Sequence, residues 1–303
     1  MSFDAEYLKL DMCHPDSELF SRIRESSSMK TPRKVEKVLG ETVLPDAPAD
    51  RPYLYGCMVL SFDGKMGFDN NPEGTLISKQ NLYDPKGADL DFWILNVCRT
   101  YADAVIFGTG TLKARMQKLW YAQIHDPELI PARKELGKKT EVAASVFASI
   151  DGRDIPFAHP SFSMEPAPII ITSESGAAFI SETMDRKCRI ISEPEDLTKE
   201  DEAVRLLVSG KEKAETRGLM NLLRKGGFEH VCVEAPGYIW TLIREGVLDE
   251  YFLNYSGVMA GGNTALGTWG PFTAESHPHA AIISAGITKG FFFTRQELQY
   301  GLR

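Results

Sequence analysis

The chain has few cysteines, no long apolar run and no surplus of basic residues, and each absence excludes a class of protein. Its five cysteines, at positions 13, 57, 98, 188 and 232, form no C-x-x-C pair and have no histidine at metal-ligand spacing. We therefore expect reduced thiols and no metal site. No window approaches the roughly 18 apolar residues of a membrane helix, and the first residues lack the basic and apolar regions of a signal peptide. These absences predict a cytoplasmic protein with no membrane contact.

Acidic residues outnumber basic ones, with 42 Asp+Glu against 34 Lys+Arg and a net charge of −8. Proteins that bind nucleic acid or anionic membranes usually carry a positive surface, so neither partner is expected. The 303 residues are 43% hydrophobic and 25% charged, which is an ordinary globular composition. The composition favours an enzyme that acts on a small molecule.

The hydrophobic pattern divides the chain near residue 50. Residues 1–50 are polar and are interpreted as an N-terminal appendage with one short helix around 17–24. From residue 51 to 303, β-prone runs alternate with amphipathic segments. Strands are predicted at 53–60, 104–107, 168–172, 188–191, 204–208, 230–233 and 249–255, helices at 90–101, 213–225 and 238–244, and a hairpin at 281–298. This alternation predicts an α/β fold with a mostly parallel sheet, flanking helices and an antiparallel C-terminal edge.

The segment 112–165 and the apolar late strand around 248–258 differ from the rest of the pattern. Residues 112–165 have weak periodicity and scattered charge, which favours a long insertion serving as a lid or binding loop. Five apolar side chains of the late strand, together with Phe291–Phe293, are too hydrophobic for a bare sheet edge, so either this insertion or a second copy of the chain should cover them. The five are Leu248, Tyr251, Leu253, Tyr255 and Val258. We predict a homodimer.

Open α/β sheets bind ligands beyond the carboxyl ends of their strands, and four such junctions carry suitable residues. The first junction is Gly108–Thr111, where glycines would let backbone N–H groups approach a phosphate. The alternative is that this segment is a plain tight turn. The second junction is the turn 61–65. In one interpretation, Asp63 and Lys65 orient a polar substrate and Asp63 transfers a proton; in the other, the Asp-Gly pair only forms a turn. The last two junctions are 234–237 and 260–263.

Glu234 ends an apolar strand, where a carboxylate is costly unless it meets hydrogen-bond donors from a ligand or from the backbone. Gly261 and Gly262 allow close ligand approach or form an ordinary loop. Arg99, at the end of a predicted helix, either compensates the helix dipole or binds an anion.

Taken in order, these junctions resemble the reductase domain of the bifunctional riboflavin-biosynthesis deaminase/reductase, which has a dihydrofolate-reductase-like fold. The resemblance covers roughly residues 53–299. It rests on the S-x-D-G-K turn at 61–65, T-x-I-S at 75–78, CRTYADAVIFGTGTL at 98–112, GFEHVCVEAPG at 227–237 and GVLDEYFLNYSGVMAGG at 246–262. Histidine and cysteine signatures of the zinc deaminase do not occur in the sequence, so a reductase without the deaminase half is expected.

The resemblance implies NADPH as cofactor and a substrate such as 5-amino-6-(5-phosphoribosylamino)uracil, whose ribosylamino group becomes ribitylamino. It implies catalytic roles for Asp63, Lys65 and Glu234. It implies substrate contacts from Ser61, Arg99, Asp126 and Arg133, the last as a phosphate ligand. Cofactor contacts are expected from Ser78, Gly108, Thr109, Gly110, Thr111, Thr172, Ser173, Ala235, Pro236, Gly237, Gly261 and Gly262, with Thr172 and Ser173 on the adenosine side.

The sequence departs from the family pattern at several positions. Leu76 replaces an aromatic residue, His125 replaces an aspartate, and residues 234–237 read Glu-Ala-Pro-Gly. These departures concern the substrate more than the cofactor. The alternatives are a reductase of the same fold acting on a pterin or another carbonyl or imine compound, and a catalytically silent NADP-binding protein.

Overall fold

A computed structural model describes residues 3–191, 193–198 and 202–302. These residues form a ten-stranded sheet in the order β5-β6-β4-β3-β2-β7-β1-β8-β10-β9. The strands are β1 Tyr53–Ser61, β2 Ala104–Gly108, β3 Ala144–Ala148, β4 Ile169–Thr172, β5 Cys188–Ile190, β6 Val204–Val208, β7 His230–Val233, β8 Glu250–Ser256, β9 His279–Ile287 and β10 Phe291–Gln299. All neighbours are parallel except β8–β10 and β10–β9. The predicted α/β fold is confirmed.

Helices cover both faces of this sheet. They are α1 Ala5–Leu8, α2 Ser17–Glu25, α3 Arg33–Leu39, α4 Thr75–Lys79, α5 Pro85–Tyr101, α6 Thr109–Ala114, α7 Leu129–Glu135, α8 Glu174–Thr183, α9 Thr216–Lys225 and α10 Pro236–Arg244, with 3₁₀ turns at Pro160–Ser163 and Pro194–Thr198. No helix in the described part of the chain combines the length and hydrophobicity needed to cross a bilayer.

Two hydrophobic cores lie on opposite faces of the sheet, because successive strand residues point to opposite sides. On β1, Tyr55 packs with α5 and α8 in one core, whereas Leu54 packs with α9 and α10 in the other. Since β1 and β7 lie near the middle of the strand order, their side chains are covered on both faces. The central strands are therefore rigid supports for whatever lies at their carboxyl ends.

The segment predicted as an insertion contains a central strand. β3 pairs with β2 on one side and β4 on the other, so the part of 112–165 that it occupies belongs to the sheet. Sequence analysis missed β3 because its five residues, ASVFA, give too short a pattern to separate from a loop. The same segment also contains α7.

Helix α5 begins earlier than predicted. The Asp84 carboxylate caps it by accepting a 3.0 Å hydrogen bond from the N–H of Gly87, and Pro85 occupies the first turn. Asp89 and Asp91, near the predicted start of the helix at residue 90, therefore lie inside it, and both line the cavity described below.

The N-terminal appendage packs onto the sheet. Leu8, Val35 and Val38 are buried in the core that contains α5, and Leu19 and Ile23 of α2 pack against β9. Cys13 forms an antiparallel bridge with Ala285 of β9. Residues before β1 thus pack against the part of the sheet that the last strands of the chain form.

The strand that motivated the homodimer prediction is not an edge. β8 lies between β1 and β10, and Leu248, Tyr251 and Leu253 are buried. Phe291 and Phe293 are also buried, beneath α5. The exposed apolar edge inferred from the sequence is therefore covered by the chain itself.

Candidate active site

A cavity of about 660 Å³ opens at the carboxyl ends of β1, β2 and β7, as the fold class predicts. Its walls come from β1, α4, α5, α6 and the residue pair Glu234 and Pro236 after β7. Apolar side chains, among them Val59, Phe92 and Leu95, form most of the surface. The predicted site residues that line it are Ser78, Gly110, Thr111, Glu234 and Pro236.

The turns after β2 and β7 lie side by side. A Cβ atom placed on Gly108 would lie 3.3 Å from the Cβ of Ala235, so only glycine fits there without a shift. Around Gly110 and Gly237, by contrast, an added Cβ would meet nothing within 4 Å. These small residues leave room for a ligand to approach the backbone, and the space suits the dinucleotide that the resemblance implies.

Arg99 and Glu234 form a bidentate ion pair at the inner wall of the cavity. Arg99 Nε donates to Glu234 Oε1 and Nη2 donates to Oε2, both at 2.7 Å, and Nη1 donates to the Gln123 carbonyl at 2.8 Å. The side chains are only 4% and 7% exposed. The structure thus brings together two predicted site residues and supplies the donors that the buried carboxylate requires.

Asp63 is exposed and holds a neighbouring loop. Its carboxylate accepts hydrogen bonds from Ser61 Oγ at 2.5 Å and from the N–H groups of Ala260 and Gly261 at 3.0 and 2.6 Å. These bonds lower the pKa of Asp63 to about 2. An exposed carboxyl with so low a pKa carries no proton near neutral pH, so this geometry gives no support to the predicted proton transfer by Asp63.

The glycines after β8 belong to a loop fixed by two carboxylates. Gly261 and Gly262 adopt φ values of +66° and +73°, which favour glycine. Asp69 accepts from the N–H of Asn263, and this bond, with contributions from Thr264 and Lys65, lowers the pKa of Asp69. Neither the glycines nor Lys65 lines the cavity, although the loop contributes Thr264 to its wall.

Asp126 and Arg133 have structural partners. Asp126 is fully buried and accepts from the Trp93 indole at 2.7 Å, and Lys34 lies 2.8 Å from the same oxygen. The Arg133 guanidinium is 1% exposed and donates to the carbonyls of Arg99, Thr100 and Ala102. Neither side chain lines the cavity. In this structure, structural contacts take the place of the substrate contact predicted for Asp126 and of the phosphate contact predicted for Arg133.

An Arg133→Met variant tests this correction. It should lose about 2–3 kcal/mol of stability, since it leaves the last carbonyls of α5 without donors in a buried place. Urea unfolding measures this loss. A variant with wild-type stability and a raised KM for a phosphorylated substrate would restore the phosphate role.

Four more predicted contacts are turned away from the cavity. Thr172 and Ser173 are fully buried, and Ser173 Oγ caps α8 by accepting from the Gly176 N–H at 3.1 Å. Ser61 is buried beneath the Asp63 turn, and Thr109 Oγ1 donates to the Asp154 carboxylate. None of these four side chains lines the cavity in this conformation.

Sequence reasoning missed a second group of cavity residues. Asp91 of α5 lines the cavity and accepts a 2.8 Å hydrogen bond from the Asn254 amide of β8. Burial raises the pKa of Asp91 to about 6, although Asn254 and Ser78 act in the opposite direction. A signal for Asp91 was present in the sequence. Ala88, Asp91 and Leu95 are spaced to share one helix face, which places an acid among apolar residues on the face that lines the cavity.

The mouth of the cavity is crossed by an ion pair. The Arg115 guanidinium pairs with Glu73, donates to Thr75 Oγ1 and lies 4.8 Å from the ring centroid of Trp120. Lys79 of α4 also lines the wall. Among the described lining residues, Lys79 and Arg115 are the cations, so any anionic group of a ligand has these two partners in reach.

Comparison with known proteins identifies the family. Residues 52–279 match the RibD C-terminal domain. A curated relative, the 2,5-diamino-6-ribosylamino-4(3H)-pyrimidinone 5′-phosphate reductase of Archaeoglobus fulgidus, is 22% identical over 219 residues, covering 70% of this chain and 83% of the relative.

Solved structures share the fold. A pyrimidine reductase-like protein from Corynebacterium diphtheriae matches with a TM-score of 0.59 and 15% identity, over 83% of this chain and 94% of that one. A deaminase/reductase from Thermotoga maritima matches with a TM-score of 0.56 and 12% identity, over 82% of this chain and 56% of that one. The family match spans most of the sheet and every wall of the cavity, and the chain therefore belongs to the RibD C-terminal domain family.

Proposed function

We propose that this protein is an NADPH-dependent reductase that converts the ribosylamino group of a 6-ribosylaminopyrimidine 5′-phosphate into a ribitylamino group. The observation that carries the proposal is a cavity in which the open glycine position of α6, the Glu234 carboxylate and an apolar surface meet. Family membership and the similarity to a named reductase agree with an oxidoreductase.

The cofactor is assigned to the side of the cavity formed by the turns after β2 and β7. Gly110, Thr111 and Pro236 line this side, and Gly237 leaves open space beside it. When bound, NADPH supplies a hydride from its dihydronicotinamide ring. The protein orients the ring and keeps water from the reacting atoms with the apolar surface around Val59, Phe92 and Leu95.

The substrate is assigned to the opposite side. Glu234, held by Arg99, accepts hydrogen bonds from ribose hydroxyl or amino groups, which is the catalytic positioning role that we propose for it. Lys79 and Arg115 are the cations in reach of the 5′-phosphate. Asp63 and Lys65 contribute indirectly, by holding the loop that carries Gly261 and Gly262 and that places Thr264 in the cavity wall.

A substrate panel tests the proposed function. Purified protein is mixed with NADPH and either the diaminopyrimidinone or the uracil form of the ribosylaminopyrimidine phosphate, and loss of absorbance at the NADPH band is followed. We expect turnover with at least one form. Turnover with a pterin alone would assign another substrate to the same site, and NADPH binding without any turnover would indicate a silent NADP-binding protein.

Cofactor choice is a separate prediction. We expect tighter binding of NADPH than of NADH, on the strength of the family resemblance. Isothermal titration calorimetry with both cofactors measures the difference. Equal affinities would contradict NADPH preference without affecting the proposed reduction.

A cytoplasmic homodimer completes the proposal. The five cysteines have free thiols, which suits a reducing compartment. β9 is the edge strand at the C-terminal side of the sheet, and its Ile282 and Ile287 are 38% and 72% exposed, so this edge is the surface that we propose for the contact between two copies. Light scattering should give twice the chain mass of 33.7 kDa, and a mass equal to one chain would contradict the dimer.

A further inference from the structure

Asp91 is an acid in a cavity that otherwise offers mainly apolar surface. Its neighbours on α5, Phe92 and Leu95, line the same wall, and β1 contributes Met58 and Val59. The buried Asn254 amide donates to the carboxylate at 2.8 Å, the Ser78 side chain also stabilises its charged form, and no cation among the described residues pairs with it. A carboxylate that lines an apolar cavity without a cation is costly, so this arrangement is typical of a functional acid.

The charged and titratable groups around this cavity do not neutralise Asp91. Those that line it are Cys57, Glu73, Lys79, Asp89, Arg115 and Glu234. Glu73 is paired with Arg115, and Glu234 with Arg99. Burial, not a neighbouring charge, is the main cause of the raised pKa of Asp91.

Reduction of a ribosylamine requires a proton as well as a hydride. In the open-chain imine, the hydride forms a C–H bond at the sugar carbon, and the electron pair of the C=N π bond moves to nitrogen. That nitrogen must then take one proton, while the dihydronicotinamide becomes nicotinamide. Asp63 does not line the cavity, and its hydrogen bonds lower its pKa to about 2, so it is not placed to supply this proton.

We propose that Asp91 donates this proton to the substrate nitrogen, and that Asn254 is the positioning residue that directs its carboxyl group into the cavity. This assignment rests on the proposed reductase function. The carboxylate left after transfer regains its proton from solvent, so one turnover consumes one NADPH, which delivers the hydride, and one solvent proton, which reaches the substrate through Asp91.

An Asp91→Asn variant tests the donor role. The amide keeps the size of the side chain but carries no transferable proton, so the single-turnover rate should fall by about 100-fold or more with NADPH affinity unchanged. In the wild type, kcat/KM should fall tenfold per pH unit above about pH 6, and Asp91→Asn should lose this limb. Asp89→Asn removes another acid of the same wall, and its pH profile of kcat/KM should keep the wild-type midpoint.

An Asn254→Leu variant tests the positioning role. Asn254 lowers the pKa of Asp91, so its loss should move the midpoint of the pH profile to higher pH. A role for Asn254 in stability alone would leave that midpoint in place.

A readout without turnover keeps the test independent of the chemical step. In protein labelled with ¹³C at aspartate carboxyls, the resonance that Asp91→Asn removes should titrate near pH 6. Asp91 ionises near pH 4 in the unfolded chain but near pH 6 in the folded one, so its ionisation costs stability as the pH rises through this range. Asp91→Asn removes this cost and should therefore raise the melting temperature more at pH 8 than at pH 4.

The outcomes separate this assignment from the proposed function. Wild-type turnover combined with an unchanged rate in Asp91→Asn, or with a resonance that titrates in the ordinary aspartate range, would overturn the Asp91 assignment alone. Absence of wild-type turnover with any ribosylaminopyrimidine phosphate would overturn both.

Discussion

An Arg99→Met variant is expected to unfold with a free energy about 3–5 kcal/mol below that of the wild type. Methionine fills part of the volume of the arginine but leaves the Glu234 carboxylate, which is 7% exposed, without its cation in a nearly dry site. The carbonyl of Gln123 also loses its donor. Urea unfolding followed by tryptophan fluorescence measures the change.

Two further variants show whether the unpaired carboxylate is the cause. Arg22→Met removes an arginine that pairs with Glu297 at the same 2.7 Å distance but is 61% exposed, so it should cost at most about 1 kcal/mol. The double variant Arg99→Met/Glu234→Leu should regain much of the lost stability while remaining inactive. An Arg99→Met chain as stable as Arg22→Met would show that the pair is not the internal support inferred from the structure.

A Gly110→Val variant is expected to weaken NADPH binding at least about 100-fold while leaving the fold intact. The added side chain meets no protein atom within 4 Å at its Cβ, so it projects into the cavity on the side assigned to the cofactor. A 100-fold loss corresponds to roughly 2.7 kcal/mol of binding free energy. Calorimetric titration with NADPH measures it.

Ala178→Val is the matched control for bulk in a helix. Ala178 lies exposed on α8 and takes no part in the cavity wall, so its variant should bind NADPH as the wild type does. Both variants should melt within a few degrees of the wild type. If Gly110→Val binds NADPH normally, the cofactor does not occupy the side of the cavity assigned to it.

The sequence was sufficient for most of the fold because the buried strands carry strong patterns. Runs such as AVIF at 104–107 and HVCV at 230–233 are apolar, β-prone and bounded by turn signals, and the structure has strands there. The short strand β3 lacked those boundaries. The start of α5 was missed because its signal lies in a single cap, Asp84, six residues before Leu90, the first periodic apolar residue of the predicted helix.

The candidate site was only partly predictable. Glycine turns after strands can be found from residue order, and Gly110, Thr111 and Pro236 do line the cavity. Whether a polar residue faces a ligand or a backbone carbonyl depends on packing between distant segments. Arg133 matched a family position, yet its guanidinium is buried against the end of α5.

Burial decides the chemistry of the acids in the same way. Asp63 follows a strand in a turn and was the natural proton donor from its position in the sequence, but exposure and three hydrogen bonds keep it ionised. Asp91 sits within a helix that looked purely structural, and burial makes it the acid that can hold a proton. The local sequence puts Asp91 on one helix face with Ala88 and Leu95, but it does not show that this face lies against a cavity.

Transfer of deuterium tests the proposed reduction most directly. The protein is incubated with the ribosylaminopyrimidine phosphate and NADPH that carries two deuterium atoms at C4 of the nicotinamide, and the product is analysed by mass spectrometry. The proposed function predicts a ribitylamino product with one deuterium on the sugar carbon that bears the nitrogen, in a one-to-one ratio with NADP⁺. A product without deuterium, or NADPH that remains unconsumed while it binds normally, would contradict it.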